Sequence, residues 1–289
     1  MMWLALSSGA VGLCALFLSL WRLSDSRAER SVWSTLLRQA GAAGRTFDPS
    51  MVDALPEAAQ RYFRYTIAPG TRLITVVEIS MHGQLGLGTK DEPRYRPMTA
   101  EQILAPPNGL VWSVRTGPIS GSDGTTPETS WTRFWLLDLI PVVRVSGNPD
   151  HRRSAFGRVV AEGAFWVPAS LLPGTNVCWE DVDADTARAV VSNGDYSQSI
   201  ELTIEADGRP SRVLIQRWSD ENAEKVFREQ PFGGYLSEFR EIGGYRLPMH
   251  VEGGNLIGTE GYFPFFKAEV RGIRYPQLAE NSEKTNADQ

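Results

Sequence analysis

The chain has 289 residues, 42% of them hydrophobic and 22% charged, and a net charge of −5. That apolar content excludes a disordered chain, and the negative balance excludes a general basic field for nucleic acid. With 2 cysteines, neither a disulfide scaffold nor a cysteine-built zinc site is open to it.

Met1 to Trp21 carries no charged residue, and Arg22 closes the run. As a helix at ~1.5 Å per residue it is ~31 Å long, which matches a ~30 Å hydrocarbon core. Trp3 and Trp21 stand at its ends, where amphipathic rings settle at the headgroup level. A cleaved signal peptide needs a basic region before the apolar run, and none is there, although Ser26-Arg27-Ala28 has a small-x-small cleavage pattern. The expected organisation is a transmembrane anchor over residues 1–22, a juxtamembrane helix and linker over 23–47, a β-rich domain over 48–276, and a polar, disordered tail over 277–289. Arg22, Arg27, Arg30, Arg38 and Arg45 follow the anchor and nothing basic precedes it, which favours a cytoplasmic domain.

Ala28 to Ala43 reads as the juxtamembrane helix, with Val32, Leu36 and Leu37 on one side. A helical stretch opens at Asp48-Pro49, a capping residue followed by proline, and another at Pro56, stopped by Pro69-Gly70. Strands are expected over 73–81, 95–104, 110–114, 132–137 and 142–145. A helical segment, His151 to Phe165, then interrupts them. Further strands are expected over 177–182, 188–192, 197–206, 211–218, 235–242, 245–251 and 265–273. Asn193-Gly194, Asp207-Gly208 and Gly243-Gly244 supply hairpin turns. Ile200, Leu202, Ile204 and Ala206 alternate with polar residues, so one face of that strand meets a core. The implied fold class is mainly β (α+β), a curved antiparallel sheet or open β-barrel with a few helices.

Motif searches return little chemistry. Gly83 to Lys90 has its final Gly-Thr-Lys in the wrong order for a phosphate loop, and Asp91-Glu92-Pro93 replaces the helix start. Asp181, Asp183 and Asp185 alternate as in a calcium loop, but Thr186 and Ser192 stand where glycine and glutamate are needed. His82, His151 and His250 have no second ligand at metal spacing. Arg158 and Glu162, four apart on the helical segment, form either a structural pair or a head-group contact. The domain tryptophans fill a core or line an apolar cavity. Tyr262-Phe263-Pro264-Phe265-Phe266 follows Gly253-Gly254-Asn255 and Gly258-Thr259-Glu260-Gly261, read as a flexible loop. It is a core strand start, or a loop tip that touches a bilayer or caps a cavity.

Several phrases recur in a familiar order: Leu55-Pro56 with Arg61-Tyr62, Arg96 to Gln102, Leu110-Val111-Trp112, Ala161-Glu162 with Trp166-Val167-Pro168, Val177-Cys178-Trp179, and Gly244 to Pro248. Together they resemble an uncharacterised bacterial family of single-anchor membrane proteins known only as a domain of unknown function. Around Tyr235 to Tyr275 the pattern also resembles the lipoprotein carriers of the LolA and LolB types. That second resemblance implies an unclosed β-barrel around helices that carries acyl chains, on the periplasmic side of the inner membrane.

The expected function is therefore non-enzymatic: a membrane-tethered half-barrel binding a lipid or other apolar ligand, without a cofactor. Trp112, Trp135, Trp166 and Trp179 are expected to line the cavity, with Arg158 and Glu162 at its polar end. The alternatives are a partner-binding module with a filled core, and a hydrolase-like enzyme assembled from distant residues.

Overall fold

Each strand of this chain pairs with its sequence neighbour, with one exception: the first strand pairs with the last. The computed structural model describes residues 2–40 and 44–276, and for residues 2–11 the backbone alone. Its strands are β1 (Val77–Gly86), β2 (Tyr95–Ala105), β3 (Gly109–Thr116), β4 (Ile119–Thr125), β5 (Ser130–Leu136), β6 (Ile140–Ser146), β7 (Val177–Asp183), β8 (Thr186–Asn193), β9 (Tyr196–Ile204), β10 (Pro210–Ser219), β11 (Arg228–Ile242), β12 (Tyr245–Asn255) and β13 (Phe263–Arg274). Three α-helices accompany them: α1 (Met2–Leu37), α2 (Glu57–Thr66) and α3 (Pro149–Trp166). All strands join one 13-stranded sheet, ordered β6-β5-β4-β3-β2-β1-β13-β12-β11-β10-β9-β8-β7. The β1–β13 pair sits at its centre, and β6 and β7 are its free edges. A sheet this wide curls instead of staying flat.

The chain between the two edges is α3, which contacts β2 to β5 in one wing and β9, β10 and β12 in the other. The sheet is thus wrapped around α3 and stays open between β6 and β7. Asn148 caps the helix, its side chain accepting from Asp150 N, and Pro149 fixes the first turn. α2 covers the second wing, and the Tyr62 hydroxyl donates to Ala164 O at 2.6 Å, tying α2 to α3. Ile200, Leu202 and Ile204 face this interior and are fully buried, as their alternation predicts; Ala206 lies in the following turn and is exposed. Gly194, Gly208, Gly243 and Gly244 take the positive φ that those hairpins need.

The outer face carries α1. It runs unbroken to Leu37, so the separate juxtamembrane helix expected over 28–43 is the end of one long helix, and residues 41–43 lie outside the described residues. Leu36 packs with Val76, Ile103, Ala105, Val111 and Trp131 in a second small core, and the Trp33 indole donates to Glu78 Oε1 at 2.9 Å. The expected span over residues 1–22 lies partly outside the described side chains, and among the described residues no helix is long and apolar enough to cross a membrane. The expected tail, 277–289, lies outside them altogether.

β4 was not expected as a strand. Its Ile-Ser-Gly-Ser-Asp-Gly-Thr sequence reads as a loop, yet each glycine makes room for a neighbour. A Cβ at Gly124 would fall 2.1 Å from the Trp131 ring, and one at Gly121 2.5 Å from the Phe134 ring. The tertiary fit of large β5 side chains overrides low strand propensity here.

Candidate functional site: a cavity between α3 and the sheet

Residues 158, 161, 162 and 165 share one face of α3, because positions three and four apart stack along a helix. Across from them, β11 and β12 meet glycine to glycine, Gly233 opposite Gly254 and Gly234 opposite Gly253. A Cβ at Gly233 or Gly234 would collide with backbone of the neighbouring strand, at 1.9 and 2.0 Å. Gly234 and Gly253, on the face shared with Leu236 and Val251, leave the sheet bare at this point, and the helix face looks across open space. The result is a cavity of about 310 Å³, bounded by Leu85, Phe134, Phe165, Phe232, Leu236, Val251, Phe265 and Phe266 among its apolar walls. That volume is at the lower end of the range of ligand pockets.

One polar cluster breaks the apolar lining. Arg158 donates from Nε to Glu162 Oε1 at 2.6 Å and from Nη1 to Asp123 Oδ2 at 3.0 Å, and lies over the Trp112 ring. Gln102, buried on β2, donates to the other Glu162 oxygen. Burial works against the Arg158 charge, but Glu162 and Asp123 outweigh it and hold the pKa above the ordinary guanidinium value. Arg217, from β10, donates from Nε to the Ser154 hydroxyl at 3.0 Å and lies 4.5 Å over the Phe232 ring. Burial, reinforced by the like charge of Arg158, brings its pKa down to about 10. The Nε1 atoms of Trp112 and Trp166 and Oδ1 of Asp123 are buried without a hydrogen-bond partner among the described residues.

Of the residues expected from sequence, Trp112, Arg158, Glu162 and Trp166 come together at this cavity, and Trp135 and Trp179 do not. Alternation along β5 leaves Phe134 facing inward and puts Trp135 on the outer face, edge-on to Trp21 of α1. Trp179 is held against α2, packing on Tyr62 and Phe63 and donating to Leu171 O at 2.8 Å. Asp123 and Arg217 were not singled out from sequence. Asp123 stands in the unrecognised β4, and Arg217 is one of many arginines, with nothing in its neighbours to mark it. The aromatic cluster begins β13, and Phe265 and Phe266 reach the cavity wall; of the expected loop, Gly253 to Asn255 is strand and Gly258 to Gly261 lies in the turn between β12 and β13. Asp181 and Asp183 lie in β7 and Asp185 in the β7–β8 turn, where Asp183 accepts from Asp185 N. Among the described residues no group of three or more His, Cys, Asp or Glu is placed to hold a metal.

Comparison with known proteins yields a family. Residues 45–268 match the family of unknown function DUF6544. No curated protein matches the chain. Among solved structures it resembles a LolA superfamily protein from Nitrosomonas europaea, at 9% identity and a TM-score of 0.39, covering 75% of this chain and 91% of that one. A DUF1329 family protein from Desulfovibrio piger is similar at 10% identity and a TM-score of 0.41, covering 79% of this chain and 94% of the other. An outer membrane lipoprotein-sorting protein domain from Vibrio parahaemolyticus is similar at 11% identity and a TM-score of 0.36, covering 69% and 85%.

Proposed function

The chain belongs to the DUF6544 family, and we propose that it is a membrane-tethered, non-enzymatic binder of a lipid or other apolar ligand, held in the cavity between α3 and the sheet. The observation that carries this reading is the bare glycine patch on β11 and β12, which leaves the aromatic walls facing each other across open space. A protein interior is normally filled to crystal density, so an apolar void of this size costs stability unless something occupies it. Burying even six methylenes contributes about 5 kcal/mol at ~0.8 each, enough for useful affinity without a catalytic group.

The tether is supported by α1. Leu13, Leu16, Phe17 and Leu20 are 56–70% exposed, left uncovered among the described residues. Arg22 reaches from the next turn to Asp138 at the β5–β6 hairpin tip, where Leu137 and Ile140 are also exposed. An apolar helix end and an apolar hairpin tip at one level fit a lipid surface. Resistance of the full chain to alkaline carbonate extraction from membranes checks the tether.

Ligand binding is tested with the neutral probe N-phenyl-1-naphthylamine, whose emission rises in apolar surroundings. The full chain should enhance it with saturable binding. Ala161→Phe, which fills the cavity from α3, should abolish that enhancement. Equal enhancement by both proteins would contradict the reading.

A further inference from the structure

Hydrogen-bond capacity at the polar end of the cavity is unevenly spent. Arg158 divides its donors between Asp123 and Glu162, and Gln102 takes the remaining Glu162 oxygen, so this part of the cluster is largely closed on itself. Arg217 is different. Only its Nε is engaged, by the hydroxyl and carbonyl of Ser154, and it has no ion-pair partner within contact distance among the described residues. Both Nη groups therefore keep their hydrogens free, on a side chain that borders the cavity. The guanidinium is also fixed in place. Ser154, itself buried on α3, holds one end and the Phe232 face supports the plane. Trp112 and Trp166 border the same space, and their indole N–H groups are buried beside it without a partner among the described residues.

Open donors thus outnumber open acceptors, of which Asp123 Oδ1 and Gln102 Oε1 are the buried examples. A planar guanidinium with a free edge matches an oxyanion bidentately, and in an apolar pocket such a bond is about twice as strong as a neutral one. We infer that the ligand is an amphiphile with an anionic oxygen head, a carboxylate or a phosphate, whose head is received by Arg217 while its alkyl chain lies along Phe134, Phe232, Phe265 and Phe266. This inference rests on the cavity reading above and adds to it the chemistry of the head. A purely hydrocarbon ligand would leave the Arg217 Nη donors unpaired on binding.

The test uses four probes with the same twelve-carbon chain: dodecanoate, dodecyl phosphate, dodecan-1-ol and dodecylamine. Binding to the full chain is measured by displacement of N-phenyl-1-naphthylamine. At least one of the two anions should bind about tenfold or more tighter than the alcohol, and the amine weakest. Which anion leads separates a fatty-acid ligand from a phospholipid-like one. Arg217→Gln should remove the anion preference, bringing the anions to within about twofold of the alcohol measured on the same variant. Arg217→Lys, which keeps the charge but loses the fork, should keep part of the preference. Equal binding of all four probes overturns the head-group assignment and leaves the cavity reading standing. So does an anion preference unchanged in Arg217→Gln, or tightest binding of the amine. Failure of all four probes, with the naphthylamine also unbound, overturns the cavity reading and this inference with it. Because Arg217→Gln could unfold the chain, its thermal transition is measured in parallel; if it is unfolded, the rank order of the wild type decides.

Discussion

The protein buries charge on both faces of its sheet, and the two clusters differ in what surrounds them. On the outer face Asp25 of α1 meets Arg144 through both oxygens, at 2.5 and 3.1 Å, and Arg133 at 3.3 Å. Trp21 and Trp135 close over Arg144, at 4.4 and 5.4 Å from ring centroid to guanidinium carbon. Both arginines pair with Asp25 there and rings pack against them; Arg133 Nε and Trp135 Nε1 are buried without a partner among the described residues, but those two residues do not line the cavity. On the inner face Arg158, Asp123 and Glu162 form a similar arginine–carboxylate group, but Arg217 is added without a carboxylate in contact and one side opens on a cavity. A closed cluster fastens one element to another. An open one, with unspent donors and room beside it, is suited to receive a molecule.

The largest effect expected from breaking this contrast is on the outer face. Asp25→Ala removes the shared carboxylate of half-buried Arg133 and partly exposed Arg144, and losing hydrogen bonds to a charged group costs about 1.5–3 kcal/mol. Urea denaturation should show that loss, together with protease cleavage within α1, whereas ligand binding by the remaining folded protein should persist. A wild-type-like transition would make the outer cluster ornamental.

Ala161→Phe sharpens the contrast from the other side. In a filled core, added bulk costs about 1–3 kcal/mol. Here the ring projects into empty space, so the unfolding midpoint should stay close to wild type while probe binding is lost. A strongly destabilised variant would show that the space is not available.

A smaller effect concerns pH. His151 lies beside the inner cluster, hydrogen-bonded to Ser130 and Thr132, and its pKa is lowered by burial, with Arg217 adding to the shift and Asp123 opposing it. The unfolded chain therefore binds this proton more readily than the folded one. Stability should fall as pH drops from the ordinary histidine value near 6.5 toward the lower folded value, and should be indifferent to His151 above that range. In His151→Gln this segment of the stability–pH curve should flatten; an unchanged curve would assign the acid sensitivity elsewhere.

The smallest effect serves as a control. Arg188 pairs with Glu180 and Glu201 on the exposed surface of β7 to β9. Arg188→Ala should cost about 1 kcal/mol or less, as exposed pairs do.

Much of this architecture was legible in the sequence, for identifiable reasons. α3 announced itself through the spacing of Phe156, Val159, Val160 and Phe165, with its capped start at Asn148-Pro149 left unread, and the second wing through its hairpin glycines. The Arg158–Glu162 pair followed from four-residue spacing on that helix. Long-range fit was not legible. β4 has the composition of a loop and becomes a strand only because Trp131 and Phe134 need its glycines. Gly233-Gly234 and Gly253-Gly254 read singly as turn or loop signals, and register alone brings them together as the bare floor of a cavity. Trp135 keeps the alternation of β5, sharing the outer face with Trp131 and Arg133, but which face of that strand meets the cavity is set by the sheet's curl and not by the strand's own sequence. Site residues on a recognised helix could be found, while those that depend on register could not.

The central claim is that the interior holds an apolar molecule, and native mass spectrometry of the full chain, released gently from detergent, tests it most directly. The account predicts a population heavier than the polypeptide by the mass of a retained amphiphile, exchangeable for added dodecanoate and missing from Ala161→Phe. A bare polypeptide mass that no added amphiphile shifts would contradict it.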